Sequence, residues 1–285
     1  MPFTAKSGKF NASINTVEFG TGDKAVKIGG ENVFPLYSFD AAIENAPKVG
    51  IEITDFGMEH EPECIKKYYE GCATLADMVR KAASMEGVDF LSFRMEGGDP
   101  NGANKSTEEL IGELKEIADA VDLPLVVCGC KNVEKDAELF SKAAEALNGK
   151  NAVILSAKEE NYKTVGAAAG LAYKQIVGAE SAVDINLAKQ LNVLISQLGV
   201  DSKSVVMNVG SAAVGYGFEY VISTMDRVKA AALQQGDANL QMPIITPVAS
   251  EAWGVKEAMA SETDAPEWGS QEERGIDMEV ETAMA

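Results

Sequence analysis

Basic residues are scarce in this chain: 25 Lys and Arg stand against 44 Asp and Glu, a formal charge of −19. Such a surface repels phosphate backbones, which argues against nucleic-acid binding, and anionic bilayers disfavour it for the same reason. Histidine is nearly absent. His60 alone cannot build a His-based metal centre or a catalytic triad and reads as a surface or interface residue. Cysteine is limited to Cys64, Cys72, Cys128 and Cys130, too few to staple 285 residues, so a reducing, cytoplasmic setting is expected. No apolar run is long enough to span a bilayer. The opening MPFTAKSGKF lacks the apolar segment of a signal peptide.

What is present is an ordinary globular balance, with 46% hydrophobic and 24% charged residues. Residues 17–19 and 24–28 alternate around Gly20-Thr21-Gly22-Asp23, which reads as a hairpin, and a loop through Pro35 follows. We divide the chain into a hairpin and cap segment, 1–45, and a main domain, 46–285. In the main domain, apolar runs at 49–53, 88–93, 123–128, 152–155, 175–177, 204–209 and 243–245 alternate with amphipathic helical patterns. Ser106 with Glu109 three residues on is a capping-box signature, and Leu110, Leu114, Ile117 and Val121 then share a helix face. Asp184 is placed to cap a helix that Gly199 ends. A third helix carries Phe218, Val221, Met225, Val228 and Ala232.

Seven βα units with continuous rather than alternating apolar runs predict a parallel sheet buried on both faces. A barrel or a doubly wound sheet would satisfy this, and seven units suit an eight-unit (β/α)8 TIM-type barrel better. No Gly-x-Gly-x-x-Gly follows the first run. After residue 245 come a helix near 251–260, a polar loop and a helical pattern over 271–285, so the eighth strand of the α/β barrel is expected to be missing from this sequence.

The strand ends supply candidate ligand positions. Cys128 and Cys130 could face one side, but a structural metal or cluster needs about four ligands and two are in hand. Lys131 and Lys158 lie beyond their strands, where a Schiff-base lysine would sit within one. The Gly-rich stretch 210–217 enters a helix and could receive an anion or serve close loop packing. No catalytic cluster and no metal site are assigned.

Three segments carry a resemblance. Asp184-Ile185-Asn186-Leu187-Ala188-Lys189-Gln190-Leu191-Asn192, Ala212-Ala213-Val214-Gly215-Tyr216-Gly217-Phe218-Glu219-Tyr220 and Glu251-Ala252-Trp253-Gly254-Val255-Lys256-Glu257 resemble, in order, signatures of the small subunit of corrinoid iron–sulfur proteins. Asn161-Tyr162-Lys163 and residues 24–35 are also similar. The resemblance departs at Asn208-Val209, where the family has Asp-Pro, and at Gly254. It implies a TIM barrel in a heterodimer with a large subunit that holds the iron–sulfur cluster and a corrinoid domain. A cobamide would lie between that domain and the strand carboxyl ends, loaded by a pterin-dependent methyltransferase and unloaded by acetyl-CoA synthase in the reductive acetyl-CoA pathway. The implied cofactor-facing residues are Ser181, Asp184 and Asn186 after the fifth run, Asn208, Gly210, Ser211 and Gly215 after the sixth, and Thr246, Glu251 and Trp253 after the seventh. Two other readings stay open: a pterin-dependent methyltransferase using Asp55, Asn208 and Glu96, and a purely structural partner subunit.

Overall fold

A computed structural model describes residues 10–34 and 40–285. The expected loop through Pro35 lies outside the described residues. The first two strands, β1 (Val17–Phe19) and β2 (Val26–Ile28), pair antiparallel as the hairpin that the alternation predicts. Six strands then form one parallel sheet: β3 (Gly50–Thr54), β4 (Phe90–Arg94), β5 (Leu125–Cys128), β6 (Val153–Ala157), β7 (Ile176–Glu180) and β8 (Val205–Asn208). Their order in the sheet is their order in the chain. The seventh run contributes only a parallel bridge, Met207 with Ile244. Pro243 cannot donate to the ladder, which restricts pairing at its start.

The helices are α1 (Glu63–Tyr68), α2 (Leu75–Ala83), α3 (Thr107–Ala120), α4 (Val133–Ala146), α5 (Tyr162–Val165), α6 (Ile185–Gln197), α7 (Phe218–Leu233), α8 (Ala249–Ala252), α9 (Lys256–Met259) and α10 (Gln271–Met284). Capping chemistry sets several starts. Thr74 and Asp77 form a reciprocal capping box on α2. Ser106 accepts from the Glu109 amide, and Asp184 accepts from the amides of Asn186 and Leu187. Gly199 closes the end of α6 at φ 101°. The single helix expected near 251–260 is two short ones, α8 and α9, separated at Trp253-Gly254. A run this short gains little from helix cooperativity. Among the described residues no helix is long and apolar enough to cross a membrane.

The sheet is buried on both faces by two separate apolar clusters. Odd-numbered positions of β3–β5 and β7–β8, such as Ile53, Phe93, Val127, Val177 and Met207, pack against the helices. The alternate positions, including Val126, Val153, Ile176 and Val206, pack against Val17, Phe19 and Val26 of the hairpin, with Phe90 at the edge. One small hairpin therefore shares a single apolar cluster with residues of β4 through β8, which requires the sheet to be rolled around it. The hairpin plugs the amino ends of the strands. Gly20 donates to Asn151 O, Asn15 donates to Gln241 O, and Phe19 meets Phe90 edge-to-face at 5.6 Å. At the other end, Arg94 of β4 reaches Ser250, five residues after the bridge segment beside β8. A flat sheet would separate those strands by about 24 Å, beyond the reach of five partly helical residues. The architecture is thus the α/β, rolled, consecutive parallel sheet of a (β/α) barrel.

Candidate functional site

In a rolled parallel sheet the carboxyl ends of the strands converge on one mouth. The even positions of β3 and β4 carry polar groups there. Arg94 and Glu52 form a two-pronged pair, Nε to Oε1 and Nη2 to Oε2 at 2.9 Å each, with side chains only 7% and 11% exposed. Arg94 also donates to Ser250 Oγ at 3.1 Å. Ser92 donates to Glu52 at 3.4 Å and lies 3.5 Å from the Cys128 sulfur. Burial pushes the Cys128 thiol up to about 11. Further round, Lys158 pairs with Glu180 at 3.2 Å. Asp55 accepts from the Gly97 amide at 2.9 Å, and Lys105 Nζ lies 3.0 Å from its other carboxylate oxygen. Glu61 sits at the same mouth. Burial, and then the charges of Glu279, Glu52 and Glu96, raise its carboxyl above the ordinary range.

The expected cofactor-facing residues do not all converge. Ser181, Asn208 and Gly210 do. The Ser181 amide donates to Asn208 O, Asn208 Nδ2 donates to Ser156 Oγ at 3.0 Å, and the Gly210 amide donates to Asn208 Oδ1 at 3.0 Å. Asn208 thereby ties β6, β8 and the following loop together. Ser181 is 1% exposed, and its hydroxyl has no hydrogen-bond partner among the described residues. Such a group costs about 1–3 kcal/mol unless something pairs with it. The two residues after it, Ala182 and Val183, have φ of 45° and 66°, a left-handed backbone that a β-branched residue rarely adopts. Strained backbone beside an unpaired buried hydroxyl marks a place where structure is held for something other than stability.

Asp184 and Asn186 are exposed at the start of α6, where Asp184 spends its carboxylate on capping. Gly215, at φ 85°, is exposed with open space beside its α-carbon. Ser211 and Thr246 line a small gap of about 20 Å³ against α7, with Thr282 of α10. Glu251 pairs with Lys131 at 3.0 Å, and Trp253 donates to Glu279 at 2.6 Å while its ring covers Gly275. Glu251 and Trp253 therefore stand over the mouth from outside the sheet.

The two cysteines of the Cys128-x-Cys130 pair do not share a side. β5 ends at Cys128, which stays inside, and the chain then turns so that Cys130 packs in the helix-facing cluster and donates to Asp136 at 3.2 Å. The alternation that would align them holds only within a strand. Among the described residues no group of three or more His, Cys, Asp or Glu is placed to hold a metal. Sequence reasoning passed over Glu52 as a partner for Arg94. Its signal was its position two residues from Gly50 and Thr54 in an otherwise apolar run.

The fold and mouth define a (β/α)-barrel-type α/β protein whose strand carboxyl ends carry a closed polar network. Within that class, residues 16–266 match the model of the CO dehydrogenase/acetyl-CoA synthase delta subunit, and the chain belongs to that family. It is 32% identical over 251 residues to an acetyl-CoA decarbonylase/synthase complex subunit delta of Methanothermobacter thermautotrophicus, covering 87% of this chain and 63% of the relative. Over 274 residues it is 31% identical to the like-named subunit of Archaeoglobus fulgidus, covering 93% of this chain and 59% of the relative. The chain thus spans about three fifths of these relatives' length. Among solved structures, a Xanthomonas albilineans dihydropteroate synthase aligns over 82% of this chain and 80% of its own at 16% identity and a TM-score of 0.44.

Proposed function

We propose that this chain is the small subunit of a corrinoid iron–sulfur protein, a methyl carrier serving acetyl-CoA synthesis. In this reading it pairs with a large subunit that holds the iron–sulfur cluster and the corrinoid domain, and it covers one face of the cobamide. The methyl group comes from methyltetrahydrofolate through a pterin-dependent methyltransferase and passes to acetyl-CoA synthase. The cobamide supplies the methyl-carrying cobalt. This chain's residues bind, orient and shield.

The observation that carries the reading is the Ser181 hydroxyl, buried and unpartnered beside Asn208 and Gly210 at the mouth. A corrin is flat with amide groups around its rim, so it needs small residues close in and hydrogen-bonding groups at the edge. Ser181, Gly210 and Ser211 are small, and Asn208 keeps one amide hydrogen free beyond the bond to Ser156. In this reading Asp184, Asn186, Gly215, Thr246, Glu251 and Trp253 supply outlying contacts to the cofactor or to the partner that carries it. Family membership and the delta-subunit names of the relatives support the assignment.

The test is Ser181→Ala, whose two readings have opposite signs. Removing an unpaired buried hydroxyl raises the stability of the isolated chain by up to about 1 kcal/mol. In the complex with the large subunit it weakens cobamide retention and slows methyl transfer from methyltetrahydrofolate. Unchanged retention and rate, in Ser181→Ala and in Asn208→Leu alike, would remove this loop cluster from the cofactor face.

A further inference from the structure

The segment after the seventh run is joined to the rest of the molecule in an unusual way. Neither apolar cluster of the described residues includes any residue beyond Ile245. Residues 249–285 instead hold themselves together. The Arg274 guanidinium donates to the carbonyls of Glu257, Ala260, Trp268 and Gly269 and lies 5.6 Å over the Trp268 ring. Gln271 donates to Ala258 O at 2.7 Å, and Trp253 of the α8 turn packs on Gly275 of α10 and donates to Glu279. Attachment to the barrel is largely polar. Ser250 accepts from Arg94, Glu251 pairs with Lys131, Glu257 accepts from Tyr216 Oη, and Thr282 Oγ1 accepts from the Val214 amide. The apolar approach of α10 to α7 is incomplete and leaves the small gap lined by Phe218, Val221 and Met225.

A unit bound internally by many contacts and externally by a few polar ones opens as a body before it unfolds. We propose that residues 249–285 form a flap closed over the carboxyl-end mouth of the sheet, joined to the bridge segment through Thr246-Pro247-Val248 and latched by Arg94–Ser250 and Lys131–Glu251. Both latches reach strand ends on the far side of the mouth, so closing covers the mouth and opening uncovers Glu52, Arg94 and Cys128. The latches are the exchangeable kind: a neutral hydroxyl on Arg94, and an ion pair whose side chains are 62% and 36% exposed. The flap stands on these contacts. That it gives way to a cofactor-bearing partner rests on the reading of this face given under Proposed function.

The experiment is hydrogen–deuterium exchange on the full chain, alone and with Ser250→Ala and Lys131→Met combined. A companion measurement follows alkylation of Cys128 by N-ethylmaleimide in a chain whose other cysteines are replaced, Cys64→Ser, Cys72→Ser and Cys130→Ser. Amides in 249–259 and 271–282 should exchange together, at least about tenfold faster than those of β4–β8. The double substitution should speed both the flap's exchange and Cys128 alkylation about tenfold. Protection equal to that of β4–β8, or piecemeal exchange within the segment, overturns the flap. So does a folded double variant that leaves exchange and alkylation unchanged. If that variant does not fold, the exchange pattern of the unsubstituted chain still decides. No cobamide or partner is present, so failure here with the Ser181→Ala effect intact removes the flap alone, and the reverse outcome removes the cofactor reading alone.

Discussion

Single side chains at the mouth show how much can hang on one pair. Arg94 and Glu52 are both buried and satisfy each other through two bonds. Removing one leaves an uncompensated buried charge, so Glu52→Ala or Arg94→Met should each cost about 3–5 kcal/mol in chemical denaturation. Glu52→Leu combined with Arg94→Met should recover most of that loss, since a buried ion pair gains little over apolar packing of similar volume. A second prediction at this scale concerns alkali. Burial lifts the Cys128 thiol to about 11 and the Cys130 thiol to about 12, above their ordinary value of 9.0. A group whose folded value is raised stabilises the fold below its unfolded value, and that contribution is lost as pH climbs through the raised one. The melting temperature should therefore fall between about pH 9 and 11, and Cys128→Ala should flatten the descent. The sequence placed Arg94 at a strand end and Asn208 among the candidates. It gave no hint of the unpaired state of Ser181, because satisfaction of a hydroxyl depends on neighbours from two other strands.

Elements were the most legible level. The parallel βα rhythm, the Asp184 cap and the Gly199 stop all follow from local chemistry, and the structure has each of them. Where the reading slipped, nonlocal packing had decided. The run at 243–245 looks like its fellows but pairs only through Ile244, and the helix near 251–260 is divided at Gly254. The least legible element is the turn after β7, where Ala182 and Val183 take backbone angles that favour glycine. Val183 is held there by the hydrogen bond its amide N–H donates to Val209 O at 2.8 Å. Val183→Gly should relieve that strain and raise stability by about 1 kcal/mol, read as a higher melting temperature. A lower melting temperature would mean that the valine's packing outweighs its strain.

For the whole molecule, the charge of −19 is spread over a surface whose mouth adds Glu61, Glu96 and Glu279 to the buried Glu52. Self-repulsion of this size opposes the compact state and is screened by salt. Raising sodium chloride from about 10 to 500 mM, across the range where the screening length contracts from about 30 Å to a few ångströms, should raise the melting temperature. The rolled shape of the sheet was implied by the count of βα units, but the hairpin's role as its plug was not. Val17 and Phe19 meet partners at Val126, Val153, Ile176 and Val206, more than a hundred residues away. That placement also orders events in time. A ribosome delivers the plug before its socket, at about 5–20 residues per second. For several seconds Val17, Phe19 and Val26 are apolar residues with no socket to enter. The nascent chain is then most exposed to misassociation, and a chaperone that shields the hairpin, Val17 to Ile28, during synthesis should raise the yield of folded protein.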